Sequence, residues 1–440
     1  MKSLLKKLLP PFILSWYHKL LALFAMVLYG FPSNKLIVIG VTGTNGKSTV
    51  VNLIGKTLEE AGHKVGWTST ANFKVAGKEW LNDKKMTMLG RMATQKLLKE
   101  MVKNGCQYAI IETSSEGIKQ YRHFGINYDI AVFTNLTPEH IEAHGSFENY
   151  KKAKGKLFRH LTKKPKKKIN GKSVDKIIIV NADDPHADYF LRFNADKKLT
   201  YSINKTSGFQ ATAIQLQSNG TTFQLQSSVI SHRSSIYKTN LYGHVNVYNY
   251  LAALAVAKTL GISDEIIKQA MLKYQSIPGR FEFIETNQNF KVMVDYAPEP
   301  ESMKRLYETL KIFSFNNIIH VLGSTGGGRD KARRPILGKL AAENADYVIV
   351  TNEDPYDDDP QEIIDQVAQG AIDAGKILNQ NLFKILGRKD AIQKALSLAK
   401  PNDLVLITGK GCEQFICVKN GKKIPWDDRK VVKELLHRSE

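Results

Sequence analysis

The segment that most constrains this chain is a strand, a glycine-rich loop and a helix in immediate succession. Leu36-Ile37-Val38-Ile39-Gly40-Val41 is a short continuous apolar run, the pattern of a buried strand. Thr42-Gly43-Thr44-Asn45-Gly46-Lys47-Ser48-Thr49 follows, then an apolar-periodic helical stretch from Val50 to Ala61. This is the layout of a phosphate cradle. Glycines let backbone N–H groups face phosphate oxygens, and the helix N-terminus adds positive potential. Lys47 would reach the β- and γ-phosphates and Ser48 would ligate Mg2+. Position 41 is Val, so the longer G-x-x-x-x-G-K-[ST] pattern is not met and the shorter G-T-N-G-K-S stands. Strand runs and helical stretches alternate along the rest of the chain. That predicts an α/β class, a P-loop ATPase central domain followed by a Rossmann-like C-terminal domain, behind a short apolar N-terminal helix.

Composition narrows the alternatives. Of 440 residues, 42% are hydrophobic, enough for buried cores, so wholesale disorder is excluded. Cys106, Cys412 and Cys417 are too few for a disulfide framework, and no paired CxxC sets exist for structural zinc. Lys and Arg number 63 against 42 Asp and Glu, a formal charge of +21. That excess fits a nucleic acid, a membrane surface or a polyanionic substrate, and charge alone does not choose among them. At the N-terminus, Lys2, Lys6 and Lys7 precede an apolar run from Phe12 to Phe31 that His18 and Lys19 interrupt. The uninterrupted part, Leu20 to Tyr29, falls short of the about 20 residues of a membrane span. Tyr29-Gly30-Phe31-Pro32 is a poor cleavage site for a signal peptide. A helix packed on the following domain, a Lys-rich helix lying on an anionic bilayer, and last a membrane span remain as readings. Lys163 to Lys172 reads as a solvated basic insertion between strands, with anionic lipid as its other reading.

Tyr108 to Glu112 reads as a buried strand ending in a carboxylate, an oxygen ligand suited to a hard ion such as Mg2+. With the glycine loop, this resembles the Mur ligase family, ATP-dependent enzymes that make peptide bonds and carry T-G-T-N-G-K-[ST] as a signature. The resemblance extends over nearly the whole chain. It implies that Gly43, Thr44, Asn45, Gly46, Lys47, Ser48 and Thr49 bind ATP and that Glu112 ligates Mg2+. Thr134 to Gly145 is similar to the family's T-N-[LI]-x-x-[DE]-H-x-x-x-H-G, which puts His140 near a second Mg2+ and leaves His144 as an ordinary solvated residue. Lys154, within Tyr150 to Phe158, matches a lysine that the family carbamylates. A carbamate turns the cation into an anionic oxygen ligand. Gly243 to Asn249 resembles G-x-[FH]-N-x-x-N, which sets Asn246 and Asn249 near the adenine. On the acceptor side, Thr87 survives from an L-T-T-P segment whose other positions are Met88 and Leu89. Ser114, Gln120 and Arg122 match S-S-H-x-L-x-Q-x-R, with Glu116 in place of the His.

The C-terminal part continues the resemblance. Pro278-Gly279-Arg280-Phe281-Glu282 is similar to P-G-R-[FM]-[EQ], whose Arg reaches the ATP phosphates. Asp295 in Val292 to Ala297 matches a ribose-binding Asp, while Pro298 stands where the family has His. Gly323 to Pro335 resembles G-x-G-G-x-R-D-x-x-K-R-P, the mark of the branch that adds the third stem-peptide residue, and assigns Arg329 to the incoming carboxylate. Glu353-Asp354-Pro355-Tyr356 occupies the D-N-P-R positions of the diaminopimelate-adding members, and the acidic run Asp357 to Asp359 would favour an amino group. Gly409 to Glu413 is similar to G-K-G-H-E, so Gly409 and Glu413 would touch the amino acid, with Cys412 as an inert packing residue in the His position.

The expectation is an ATP- and Mg2+-dependent ligase that adds diaminopimelate or a lysine-like diamino acid to UDP-N-acetylmuramoyl-L-alanyl-D-glutamate through an acyl phosphate. Its expected parts are a basic apolar helical segment over 1–35, an ATP-binding domain over 36–276 and an amino-acid-binding domain over 277–440. The basic helix would stand in place of the family's UDP-binding domain. A cytoplasmic monomer is expected, with peripheral membrane contact through residues 1–30 and no nucleic acid. A folylpolyglutamate-synthase-like ligase is a rival that the Arg329-Asp330-Lys331 and Gly409 to Glu413 segments oppose. A non-catalytic membrane-recruited scaffold gains from Pro298, Tyr356 and Cys412, and retention of Lys47, Glu112, His140, Lys154 and Arg280 speaks against it.

Overall fold

A computed structural model of the chain describes residues 11–138, 144–229 and 235–437. It divides into two compact units, Met1–Gln275 and Ser276–Glu440.

The first unit is built on an eleven-stranded sheet. Its strands are β1 (Ile37–Thr42), β2 (Val65–Thr68), β3 (Asn72–Val75), β4 (Lys78–Leu81), β5 (Tyr108–Glu112) and β6 (Ile130–Phe133). After a small hairpin, β7 (Lys168–Ile169) with β8 (Lys172–Ser173), come β9 (Ile177–Asn181), β10 (Lys197–Ser202), β11 (Phe209–Gln217), β12 (Gly220–Ser227) and β13 (Ser235–Thr239). The order across the sheet is β13-β12-β11-β10-β9-β6-β1-β5-β2-β3-β4. The central strands run parallel and are covered on both faces, which is why they read as unbroken apolar runs. Val38, Ile39, Val41, Ile110, Val132 and Ile179 are fully buried. Register brings Val41 level with Glu112 and Thr42 level with Phe133. The ends of three neighbouring strands therefore meet at one edge, where the glycine loop leaves β1.

The helices needed to place the site are α1 (Pro11–Leu28), α2 (Lys47–Glu60), α3 (Arg91–Lys103), α4 (Phe147–Lys163) and α5 (His244–Thr259). Helix α2 starts at Lys47 and α5 at His244, each earlier than its apolar period suggests, because the first turn faces the loop and is polar. Helix α1 packs on α3, and among the described residues no helix is long and apolar enough to cross a membrane. The basic stretch Lys163 to Lys172 is largely exposed, as a solvated insertion would be, with Lys167 as the exception. Lys167 is 5% exposed and donates to Asp129 at 2.6 Å and to the Leu36 carbonyl at 2.8 Å. Lys176 reaches the other oxygen of the same Asp129 at 3.1 Å. A fully buried carboxylate between two strand starts attracts both cations, and burial is affordable because they are paired and hydrogen-bonded.

The second unit has a six-stranded sheet in the order β14-β15-β19-β16-β17-β18. These are β14 (Glu282–Ile284), β15 (Lys291–Val294), β16 (Ile318–Leu322), β17 (Tyr347–Thr351), β18 (Leu382–Ile385) and β19 (Leu404–Ile407). All pairs are parallel except β14 with β15. Helices α6 (Arg333–Asn344) and α7 (Arg388–Leu398) matter below. The carboxyl ends of β19, β16 and β17 lie side by side, the place where an open parallel sheet presents loops to a ligand.

Candidate functional site

In the first unit the loop is shaped by two glycines. Gly46 has φ 80°, and a Cβ there would stand 2.3 Å from Asn249 Oδ1. Gly43 has φ 155°, and its Cβ would fall 1.9 Å from Thr134 Oγ1. No L side chain fits either place, so the backbone stays open to a ligand. The segment after β6 straps the loop down. The Thr44 N–H donates to the Asn135 carbonyl at 2.8 Å and the Asn45 N–H to Asn135 Oδ1 at 2.9 Å. Thr134 Oγ1 donates to the Asn45 carbonyl at 2.7 Å. At the start of α5, Asn249 donates to Asn246 Oδ1 at 3.0 Å, and Asn246 to the Tyr242 carbonyl at 2.8 Å. The two asparagines thus stand against the loop as one unit.

Two lysines converge on the same loop. Lys47 Nζ donates to the Thr44 carbonyl at 2.6 Å. Lys154 is 1% exposed and donates to the Gly43 carbonyl at 2.7 Å, with the Tyr150 ring centroid 4.3 Å away. It is not one of the chain's many solvated lysines. Beside them, Ser48 Oγ donates to Glu112 Oε2 at 2.7 Å, and the Thr70 N–H donates to that oxygen at 2.7 Å. The Thr70 hydroxyl lies 2.9 Å from both Glu112 Oε1 and Thr87 Oγ1, which ties Thr87 to the carboxylate. A buried carboxylate and a hydroxyl side by side at a phosphate cradle are the oxygen donors Mg2+ takes, with phosphate and water completing its shell. The residues fit that ion. His140 lies outside the described residues. His144, expected to be solvated, is buried with Nε2 3.2 Å from Ser115 Oγ, and burial lowers its pKa.

Ser114 caps the short helix after β5 by accepting from the Gly117 N–H at 3.2 Å. Gln120 Oε1 accepts from Arg122 Nη2 at 2.7 Å, and Arg122 also donates to the Met88 carbonyl. Sequence reasoning missed Arg91, at the start of α3. Its guanidinium donates to the Gln120 carbonyl, and the Nε atoms of Arg91 and Arg122 are both buried without a hydrogen-bond partner. Desolvation lowers the pKa of both arginines, and the neighbouring charge of Arg122 lowers that of Arg91 further. Two crowded guanidiniums invite an anion. The sequence signal was faint, a single Arg two residues past Leu89.

In the second unit the Arg280 guanidinium carbon stands 4.1 Å from the Tyr296 ring centroid. Asp295 accepts from the Phe281 N–H at 2.6 Å and the Ala297 N–H at 2.8 Å, so it braces this turn. Burial raises its pKa against the opposing charge of Arg280. The loops after β16, β17 and β19 bring most of the expected amino-acid residues together. Glu353 is 3% exposed and accepts from Thr325 Oγ1 at 2.7 Å. Burial, then the neighbouring Asp354, pushes its carboxyl above the ordinary value. A Cβ on Gly409 would stand 2.3 Å from Glu353 Oε2, which explains the glycine. Asp354 pairs with Lys410 at 2.9 Å and accepts from the Cys417 N–H at 2.7 Å. Lys410, fully buried, also pairs with Glu413 at 2.7 Å. Tyr356 packs its ring where a Gly327 side chain would be, and Arg329 sits exposed on the same loop as Gly327. Cys412 is buried, its thiol pushed up to about 11, an inert packing residue as expected.

Two further residues were not singled out from sequence. Lys410 was visible as the middle of Gly409-Lys410-Gly411. Arg388, in α7, carried no signal. It forks onto Asp428 at 2.8 and 2.7 Å and holds the carbonyls of Thr408 at 2.7 Å and Asn352 at 3.3 Å. One buried guanidinium thus fixes the residues just before Gly409 and Glu353.

The chain matches the family model of the Mur ligase middle domain over residues 41–257 and that of the Mur ligase glutamate ligase domain over residues 279–411. It is 36% identical over 417 residues to a UDP-N-acetylmuramoyl-L-alanyl-D-glutamate–2,6-diaminopimelate ligase of Bacillus cereus, covering 94% of this chain and 81% of that protein. A solved structure of a ligase with the same name superposes with TM-score 0.60 and 30% identity, over 92% of this chain and 79% of that one. Folylpolyglutamate synthase of Mycobacterium tuberculosis, solved with ADP and AMPPCP, shares the fold at TM-score 0.68 and 18% identity, over 89% of this chain and 92% of that one. The phosphate loop, its two lysines and the Ser48–Glu112 pair thus sit within a match that runs through both units, and the chain belongs to the Mur ligase family.

Proposed function

We propose that the chain joins a diamino acid, diaminopimelate or lysine-like, to UDP-N-acetylmuramoyl-L-alanyl-D-glutamate at the expense of ATP. The observation that carries this reading is the glycine loop with Lys47, Lys154, Ser48 and Glu112 gathered on it. The acceptor carboxylate attacks the γ-phosphorus, ADP leaves, and an acyl phosphate forms. The amine then attacks the acyl carbon, losing a proton, and inorganic phosphate departs. Lys47 neutralises charge on the transferring group, and the open backbone of Gly43 to Gly46 orients it. Mg2+, held by Ser48 and Glu112 with Lys154 as its carbamate, supplies further charge neutralisation when bound. Ser114, Thr87, Gln120 and Arg122 hold the acceptor. Arg329, Glu353 and Glu413 receive the amino acid; Tyr356 in place of an Arg leaves less for a second carboxylate. The protein works as a cytoplasmic monomer, with residues 1–30 as its peripheral contact with a membrane.

Phosphate release is the test. It should require ATP, Mg2+ and the UDP-linked dipeptide, and a screen of diaminopimelate, lysine and ornithine should single out one diamino acid. Release stimulated by a dihydropteroate-type acceptor and not by the dipeptide would overturn the reading. Arg122→Ala is expected to raise the KM for the acceptor about 10- to 100-fold, the worth of a charge-assisted hydrogen bond, with kcat less affected. Arg91→Ala should raise it as well, because it removes the second cation from the same place. Unchanged acceptor KM in both variants would remove these arginines from the site.

A further inference from the structure

Helix α1 is turned inside out for a soluble protein. Its small residues face inward: Ala22 and Ala25 are 2% and 0% exposed. Gly125 lies so close beneath that a Cβ there would stand 3.2 Å from the Ala22 carbonyl. Its large residues face out. Trp16, Tyr17, Leu20, Phe24, Val27 and Leu28 are each between 53% and 63% exposed. Steps of three and four residues place these six within an arc of about 120° on one helical face. A helix that only packed on its domain would bury Leu and Phe and expose the alanines. This one spends its contact with the protein on small side chains and keeps a broad apolar ridge for something else.

The charge around the ridge says what that is. The sequence from Met1 to Leu58 holds no Asp or Glu, and Lys2, Lys6 and Lys7 precede α1 in it. Lys19 stands at the flank of the ridge, its Nζ 5.2 Å from the Trp16 ring centroid and 5.1 Å from that of Tyr121. On α3, packed against α1, Lys96 and Lys99 are exposed, and Lys99 Nζ is 5.9 Å from the Tyr29 ring. An apolar ridge carrying Trp and Tyr and rimmed by lysines matches the interfacial layer of an anionic bilayer, where acyl chains lie next to phosphates. A second copy of the chain would set one lysine rim against another. A helix held along the domain through Ala22 and Ala25 runs flat over its surface, which suits lying on a membrane and not spanning one.

We infer that α1 seats its outward face in a bilayer containing anionic lipid and so docks the enzyme peripherally. This rests on the membrane contact proposed for residues 1–30 and is independent of the ligase chemistry. The docked helix also touches the acceptor side of the site. Ser15 Oγ donates to the Tyr121 hydroxyl at 2.9 Å, and Tyr121 precedes Arg122. Docking therefore holds the Arg91–Arg122 pair on an element in contact with the membrane-bound helix.

The test is flotation of the full chain with vesicles of phosphatidylcholine, with and without phosphatidylglycerol, for the wild type and the variant Leu20→Glu/Phe24→Glu. Both changed residues are 59% exposed, so the fold should tolerate them. The wild type should float with the anionic vesicles and much less with the neutral ones. The variant should lose about tenfold or more of that binding, as expected when charges enter an interfacial helix face. Ligase turnover in lipid-free solution should be the same for both proteins. Equal flotation of variant and wild type, no preference for anionic vesicles, or a wild-type dimer that the variant dissolves would overturn the inference. If the ligase reading alone were wrong, turnover would be missing from both proteins and the flotation difference would remain.

Discussion

Lys47→Ala is expected to lower amide-bond formation by about a thousandfold while leaving the protein folded, the scale of losing a preorganised charge at a transferring group. The lysine is the first residue of α2, half-buried, and its Nζ rests 2.6 Å from the Thr44 carbonyl. It is therefore parked on the loop it would serve, with no core contact to lose. Ser48, Glu112 and the strap from Asn135 stay in place without it, so thermal stability should move little. The loss should fall on kcat more than on acceptor KM, because the charge matters most where phosphoryl charge develops. Lys47→Arg should recover little, since a planar fork does not replace a compact ammonium in a cradle of this size. Phosphate release read beside a thermal melt decides it. A loss under tenfold would mean that the loop does not bind the transferring phosphate, and the non-catalytic scaffold would then gain.

The largest effect on stability is expected at Arg388. Its side chain is 1% exposed and that of Asp428 is 0% exposed, and they pair through a two-bond fork. Arg388→Ala leaves the Asp428 carboxylate buried with the indole N–H of Trp426 at 2.7 Å still donating to it. Breaking one half of such a pair costs about 3–5 kcal/mol. For a unit of this size the melting temperature should drop by roughly 10 °C. The functional consequence is separate. Arg388 also holds the carbonyls of Thr408 and Asn352, so both amino-acid loops loosen and the KM for the diamino acid should rise even where the protein is still folded. Replacing both partners with apolar residues should restore much of the stability and none of the loop support, because the orphaned charge disappears while the carbonyls stay unheld. Full stability in Arg388→Ala would show that water satisfies Asp428.

The parallel strands were legible because burial on both faces leaves an unbroken apolar signature. Ile318 to Leu322 and Tyr347 to Thr351 read as strands from sequence and are β16 and β17. Helix starts were less legible. The first turns of α2 and α5 face the phosphate loop, so Lys47 and Asn246 interrupt the apolar period that would have marked them. The glycine loop was legible because its backbone shape requires glycine at set places. Its wider surroundings were not. Only the family resemblance singled out Lys154, and nothing local distinguishes Lys167 from the other cations among 63. Arg91 acquires meaning from a guanidinium 31 positions further on.

By itself the sequence determined the class of fold, the phosphate loop and the residue types of both candidate sites, because each depends on local rules: side-chain period, glycine geometry and the chemistry of adjacent residues. Tertiary structure decided which charges serve the interior and which face outward. Lys167 and Lys176 are spent on Asp129, Lys410 on Asp354 and Glu413, and Arg388 on Asp428. These four cations meet four carboxylates, so the +21 excess is carried by other side chains. The same holds for α1. Its run of apolar residues was plain in the sequence, but only its packing through Ala22 and Ala25 settled which face the protein keeps, because a helix buries whichever face its neighbours can approach most closely.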